Sequence, residues 1–600
     1  LELFQQVLHD EPENKRAHYC AGLLSYRAGD SAAAQQHFNF VTERDPRDAY
    51  AAYFLGETLA QAGQVNRALV LYEQAVAANP YLRSAYYAAF RLYRQQGEQD
   101  RAREMLEQYQ RLENNPRASV VEFKYTRMGR RCEARTISAE VAQELPLPGG
   151  PVFAEPLELM AGLVTAKANL TAADINADGR VDLFVSTGGE RNAVLLAGED
   201  RRYSNAVDHP LTRVPGVNTA LWGDYDNDGL LDAYLCRRGQ NQLWRQFPAG
   251  HWTDQTVSSG TGGDAVNTVD GAMIDADHDG DLDLFLVNAD GANELFNNNL
   301  DGTFRPLAAT QGLAGDGRAS RSVQVTDLDN DRDADLLVLH QQPPHEAFDN
   351  HLTWEYRHAA GLDELMSLPL QAMVTGDTDA DGNMELIVLV EAEIQRWWTD
   401  AAGRWQRQIL AFEQPPKAIP ATARMAMQDL DGDGRPELVL STGLGWTVYG
   451  FTKDSLVTRH AAQSPGGAGL TDWLLVLDDP SRGPSITGLD EKGRLWHWPP
   501  GTGRYGFTSL AFRGKDDSSA TTRSNLDGVG TRYMARRGSR WSAGDTFRHH
   551  SGPGQGKQAQ AVGLGGAGQL DFVSITWSNG ILQTELDLAP GQIHMLHETE

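Results

Sequence analysis

The residues best equipped for chemistry stand in one short stretch, Asp224-Tyr-Asp226-Asn-Asp228-Gly229-Leu-Leu-Asp232, followed by the apolar run Ala233-Tyr234-Leu235. Four carboxylates at positions 1, 3, 5 and 9 of one loop repel each other unless a cation joins them. Ca²⁺ is a hard cation that takes six to eight oxygens at roughly 2.3–2.6 Å. Gly229 at position 6 lets the chain turn back, so that position 7 can offer its carbonyl and position 9 its carboxylate. An EF-hand would need Glu at position 12, where Leu235 stands, and an exiting helix where this chain has a strand-like run. The stretch therefore predicts a calcium loop of another kind.

The pattern recurs as Asp174, Asn176, Asp178 and Asp182; as Asp275, Asp277, Asp279 and Asp283; and as Asp327, Asp329, Asp331 and Asp335. It returns as Asp377, Asp379, Asp381 and Glu385, then as Asp429, Asp431, Asp433 and Glu437. Position 6 is Gly in every copy except the fourth, which has Arg332. First positions step by 50, 51, 52, 50 and 52 residues, and a further step of 49 reaches Asp478. There Asp478-Asp479-Pro480-Ser481-Arg482-Gly483 keeps a turn and loses the ligands. Six matched copies argue against a chance set of acidic turns. A fixed period of this length means a repeat architecture, with seven units and six of them charged for metal.

The elements that must hold these loops are short strands. In the third unit, Ala272-Met-Ile precedes the loop and Leu282-Asp-Leu-Phe-Leu-Val follows it; further strands are expected at Glu294-Leu-Phe and around Thr303-Phe-Arg. Four strands per unit, seven times over residues 153–510, predict a β-propeller, with a row of separate β-hairpin domains as the alternative. These units resemble FG-GAP/VCBS repeats, the calcium-loop blades of integrin α-subunit heads. The resemblance implies six Ca²⁺ sites in which positions 1, 3, 5 and 9 ligate through side chains. It also implies backbone carbonyl ligands at position 7: Arg180, Leu230, Asp281, Asp333, Asn383 and Arg435. Trp397-Trp398 and Trp496-His-Trp498 fall in third-strand positions, where blade packing accounts for them.

Residues 1–116 carry a second period, of 34 residues. Gly22 and Gly56, Gly29 and Gly63, Ala34 and Ala68, Phe38 and Tyr72, and Pro46 and Pro80 match at that spacing. Small residues suit close helix crossings, and Pro ends the second helix of each pair. This resembles tetratricopeptide repeats, and the resemblance implies either a scaffold or a peptide-binding groove. Leu1–Pro12 aligns with a second helix, so an upstream partner helix and an exposed apolar face at Leu1, Phe4, Val7 and Leu8 are expected. Residues 117–152 read as a connector containing a strand at Val120-Val-Glu-Phe-Lys-Tyr. In residues 511–600, Asn525-Leu-Asp-Gly528-Val-Gly530, Val562-Gly563-Leu564-Gly565 and Trp577-Ser-Asn-Gly580 resemble the ASPIC/UnbV domain of cartilage-acidic-protein-like chains. The fold class expected is multidomain α plus β: an N-terminal α-helical tetratricopeptide-repeat solenoid, a seven-bladed calcium-binding β-propeller and a small C-terminal β domain.

Composition narrows the function. The net charge of −28 resides largely in the loops, whose side-chain ligand positions hold 23 acidic residues. Six Ca²⁺ would bring the total to about −16, so the acidity is a metal signal and nucleic acid is not an expected partner. No apolar run is long enough to span a membrane. Cys20, Cys132 and Cys236 have neither metal nor redox spacing and read as buried small hydrophobes. Gly563-Leu-Gly565-Gly-Ala-Gly568 leads into a strand rather than a helix, and Gly552-Pro-Gly-Gln-Gly556-Lys557 is too short for a phosphate loop. His549-His550 reads as a polar turn.

The function expected is a non-enzymatic, calcium-stabilised extracellular or cell-surface protein for binding or assembly. Its partner would be a protein or another copy of itself, engaged through the helical repeats, with glycan as a further class. The alternatives are a calcium-dependent polysaccharide-active enzyme and an envelope assembly factor.

Overall fold

The structure, a computed structural model, describes every residue except 114, 116–117, 125–126, 133–145, 201, 352–354, 401–402, 417, 516–523 and 600. Part of the 117–152 connector thus lies outside the described residues. Two compact units are present: Leu1–Ile137 with Thr399–Gln406, and Ser138–Trp398 with Arg407–Glu600.

The first unit is built on helices α1 (Glu2–Asp10), α2 (Lys15–Arg27), α3 (Ser31–Arg44), α4 (Ala49–Gln61), α5 (Val65–Ala78), α6 (Arg83–Gln96) and α7 (Gln99–Arg111). Asn14, Asp30 and Asp48 cap α2, α3 and α4 by accepting from the backbone N–H three residues on, at 2.8–3.0 Å. The 34-residue period is a packing requirement. A Cβ on Gly22 would lie 2.9 Å from Phe38 Cε1, and one on Gly56 would lie 2.7 Å from Tyr72 Cε1. Each helix pair can therefore close only around a residue without a side chain. Tyr19, Phe38, Phe54, Tyr72 and Tyr93 form the buried core along this stack.

Residues 118–124 and 127–132 depart from expectation. They form a strap along α2, α4 and α6 rather than a strand, and Tyr125 of the expected strand lies outside the described residues. Ser119 N–H donates to Tyr81 O at 2.8 Å, and Ser119 O accepts from Arg83 N–H at 2.9 Å. Val121 N–H donates to Ser84 Oγ at 2.9 Å. Phe123 stacks on Tyr26 and meets Phe54 edge-on, and Tyr19 Oη donates to Met128 O at 2.6 Å. Helix ends and side chains take these backbone groups, so no neighbouring strand is needed to satisfy them.

In the second unit, seven four-stranded antiparallel sheets form a closed ring. Their innermost strands are Asn169–Ala173, Val217–Gly223, Thr268–Ile274, Ser320–Thr326, Leu370–Gly376, Met425–Gln428 and Leu470–Val476. This is a seven-bladed β-propeller, and the blades are numbered here in that order. Leu157–Met160 pairs with Leu495–Trp498 and so supplies the outermost strand of blade 7, which closes the ring. Blades 5 and 6 are joined at their rims, where Ala411 and Phe412 pair in parallel with Ser455 and Leu456.

A three-stranded sheet (Phe507–Arg513, Gln560–Gly563, Ile593–His597) and a four-stranded sheet (Arg532–Arg537, Arg540–Asp545, Leu570–Thr576, Leu582–Leu588) make a C-terminal β domain around Leu510, Val573 and Trp577. Between Arg540–Asp545 and Gln560–Gly563, residues 548–558 run through the propeller axis and touch all seven innermost strands. Lys557 N–H donates to Ala172 O, Trp222 N–H to Gln555 O, and Met273 N–H to Gln555 Oε1, at 2.8–3.0 Å. Arg548 donates to Val323 O, and His549 lies against Thr375 O. Met427 N–H donates to His549 O, Ser551 N–H to Met425 O, and Gln558 Nε2 to Leu475 O, at 2.9–3.1 Å. His549 and His550 are thus part of an axial plug and not the polar turn expected.

Candidate metal centres

Each acidic loop joins the first and second strand of its blade, which fixes its ends through the ladder. In blade 3, Ile274 pairs with Asp283, so positions 1 and 9 are held at the mouth of one strand pair. The position 9 carboxylate ties the loop shut. It accepts the N–H of position 2 in all six loops: Ile175, Tyr225, Ala276, Leu328, Thr378 and Leu430, at 2.7–3.2 Å. Its other oxygen accepts from the third strand at Ala197, Gln246, Asn298 and Asn350 in blades 1 to 4, at 2.7–2.9 Å.

Position 6 has φ from +85° to +94° at Gly179, Gly229, Gly280, Gly382 and Gly434, and Arg332 is forced to +83° in the fourth loop. Position 4 is left-handed as well, at Ala177, Asn227, His278, Asn330, Ala380 and Gly432. The sequence reading missed this second turn. Its only signal is the run of Asn and Gly at three of the six positions.

The predicted acids converge. Asp377, Asp379, Asp381 and Glu385 place oxygens within 4.8 Å of one another, as do Asp224, Asp226 and Asp232; Asp275, Asp277 and Asp279; and Asp327, Asp329 and Asp335. Loops 1 and 6 close by the same position 9 bonds. In loops 1, 2, 4 and 5 the position 1 carboxylate accepts the N–H groups of positions 5 and 6, at 2.7–3.1 Å. Loop 3 differs, since Asp275 Oδ1 is buried with no hydrogen-bond donor among the described residues. Asp431 Oδ2 and both oxygens of the fully buried Asp281 share that condition.

Burial dominates the electrostatics. It pushes Asp182 and Asp224 up to about 6, Asp377 to about 7 and Glu385 to about 8, and holds Asp275, Asp283, Asp335, Asp429 and Glu437 well above the carboxylate range. Neighbouring carboxylates add to the shift at Asp275, Asp335 and Asp429. These loops are poor holders of bare negative charge. An oxygen-only donor set with unsatisfied buried oxygens fits a hard divalent cation.

One third-strand position, the one across from position 9 of the loop by register, varies in sign. It is Arg245 in blade 2, where Nε lies 2.5 Å from Asp226 Oδ2 and Nη2 lies 2.9 Å from Asp228 Oδ2. In blade 3 it is Asn297, which donates to Asp283 Oδ1 at 2.9 Å. In blade 4 it is Asp349, grouped with Asp329 and Asp331. Asp349 lies outside the nine-residue pattern, so loop spacing could not find it. In blade 7, Asp478 Oδ2 lies 3.3 Å from His497 Nε2.

The C-terminal domain covers this rim. Asp527 Oδ2 accepts from Asp224 N–H at 2.7 Å, Arg532 Nη1 reaches Asp327 Oδ2 at 3.1 Å, and Gly563 N–H donates to Asp429 Oδ2 at 3.0 Å. Asn525 Nδ2 approaches Asp275 Oδ2 at 3.4 Å. First-position residues of four loops therefore bond to the cap.

A sequence profile for the FG-GAP-like repeat matches residues 174–235, 224–286 and 275–338, and one for the tetratricopeptide repeat matches residues 21–82. The chain thus contains FG-GAP-like repeats and a tetratricopeptide repeat over those residues. It is similar to cartilage acidic protein 1 of Homo sapiens, 27% identical over 314 residues, covering 46% of this chain and 47% of that protein. It is similar also to cartilage acidic protein 1 of Xenopus tropicalis, 26% identical over 171 residues, covering 27% of this chain and 26% of that protein. The matches thus span about half or less of these relatives' length. Among solved structures, the crystal structure of MamA is 24% identical with a TM-score of 0.18, covering 21% of this chain and 72% of that one.

Proposed function

We propose that this chain is a non-enzymatic, calcium-stabilised extracellular or cell-surface protein that holds partners together. The observation that carries the reading is the set of acidic clusters, each with a buried position 9 carboxylate, repeated on one rim of the propeller. Ca²⁺ would be held by the side chains of positions 1, 3, 5 and 9 and the carbonyls of position 7. It would neutralise carboxylates that burial otherwise drives toward protonation. In blade 4, Asp349 would join the set. Extracellular modules are tuned to about 10⁻⁴–10⁻³ M Ca²⁺; at cytosolic levels such loops would stand empty.

The filled axis favours a binding role over a polysaccharide-active enzyme, whose pocket would lie where residues 548–558 run. A protein partner or a second copy has a ready surface on α1. That helix buries none of its residues and leaves Leu1, Leu3 and Val7 49%, 76% and 39% exposed.

The test is calorimetric titration of chelator-stripped protein with Ca²⁺, paired with sedimentation at rising protein concentration. Uptake of several ions per chain is the result expected. Absence of uptake would overturn the calcium reading, and a strict monomer in millimolar Ca²⁺ would overturn self-assembly.

A further inference from the structure

All three cysteines are expected to be buried small hydrophobes. Cys236 is buried, but Cys20 and Cys132, 112 positions apart in sequence, are half-buried in the helical unit with their thiols within hydrogen-bond reach. Three residues on one face of α2 grip the end of the strap. Arg16 Nη2 donates to Arg130 O at 3.2 Å, Tyr19 Oη to Met128 O at 2.6 Å, and Cys20 Sγ to Arg131 O at 3.4 Å. Positions 16, 19 and 20 share a face by helical spacing, so Cys20 meets the short turn Arg130–Cys132 head on. Arg131 holds the register by pairing with Asp45 and Asp48. Cys132 packs against the aromatic core and hydrogen-bonds to Cys20, which holds the Cys20 thiol below its usual range, aided by the Arg16 charge.

We propose that Cys20 and Cys132 form a disulfide that locks residues 118–124 and 127–132 onto the face of α2, α4 and α6. The chemistry is two thiol–disulfide exchanges with a small-molecule disulfide such as oxidised glutathione. The Cys20 thiolate attacks one sulfur of the oxidant and expels one thiol. The Cys132 thiolate then attacks the Cys20 sulfur and expels the second. Two protein thiols lose two electrons and two protons, and one disulfide of the oxidant becomes two thiols. Cys20 has the stabilised thiolate and attacks first. Helical-repeat proteins bind partners along such a face, so the oxidised form keeps it closed to other peptides, and reduction frees the strap to leave.

The experiment treats the full chain with oxidised glutathione and maps peptides without reduction, alongside Cys20→Ser and Cys132→Ser variants. Hydrogen exchange is followed at the Ser119 and Val121 amides. The expected result is a single Cys20–Cys132 linkage, one remaining thiol at Cys236, and strap exchange about tenfold slower than in the reduced chain or in either variant. Three free thiols after treatment would overturn the proposal, as would a linkage through Cys236. A Cys20–Cys132 bond with strap exchange unchanged by reduction would overturn the lock. Both variants keep the helical core, so circular dichroism separates loss of the bridge from loss of the fold.

Discussion

Replacing Arg548 with Ala removes the cation at the centre of the axial plug. Asp270 lies on the innermost strand of blade 3, is fully buried, and receives Arg548 Nη1 and Nη2 at 2.9 Å on its two oxygens. Its remaining donors are Gly554 N–H at 2.8 Å and Val323 N–H at 3.1 Å. Arg548→Ala leaves that carboxylate buried with two backbone donors and no hydrogen-bonded cation, Arg424 acting on it only through space. Breaking a buried pair from one side costs about 3–5 kcal/mol. Unfolding entropy near 2.1 cal/mol/K per residue, over the roughly 450 residues of the propeller unit, gives about 1 kcal/mol per degree. The melting temperature should therefore fall by about 3–5 °C. The double variant Asp270→Asn, Arg548→Met removes both charges and should regain most of the loss, because the cost lies in the unpaired charge more than in the missing contact. Scanning calorimetry on the parent chain and the two variants is the assay. A loss under about 1 °C for Arg548→Ala, or a double variant as unstable as the single one, would refute the reasoning.

Calcium removal should lower the melting temperature by several degrees, since six sites at tenfold excess over Kd give about 1.4 kcal/mol each; equal melting with and without chelator would sink the structural role. Arg332, held at positive φ beside the ion, would by itself make the fourth loop bind weakest, but Asp349 adds a carboxylate there while Arg245 already spans Asp226 and Asp228. Arg245→Ala should therefore tighten the second loop, and Asp349→Ala should weaken the fourth, both read by calcium titration of the single variants. Burial pulls the His549 imidazole down, but Asp545 more than offsets this and raises it to about 9. A raised histidine stabilises fully below its unfolded value near 6.5, and that contribution is lost as pH rises through about 9. His549→Gln should flatten the fall in melting temperature between about pH 7 and 9, measured against the parent chain.

Much of this architecture is legible in the sequence because it is built from local rules repeated. The nine-residue loop needs its acids at fixed positions and a left-handed residue at position 6, so Asp, Gly and the 49–52-residue steps recur visibly. The helical pairs need Gly opposite Phe38 and Tyr72, and the 34-residue spacing records that contact. Seven blades follow from counting.

What only the tertiary structure decided are contacts between residues remote in the chain, for which no spacing rule exists. Asp349 joins the acids of loop 4 because the third strand folds back beside it, fourteen residues after Asp335. Cys20 meets Cys132 because the strap returns to α2, and the strap is no strand because helix ends and side chains claim its backbone groups. His549 and Arg548 look like surface polarity in a Gly- and Pro-rich stretch. They lie on the propeller axis because the inner strands of seven blades leave backbone groups and one buried carboxylate, Asp270, that residues 548–558 satisfy. A local motif writes its geometry into neighbouring residues. A long-range contact is fixed only by the burial and hydrogen bonding of both partners once the chain has closed.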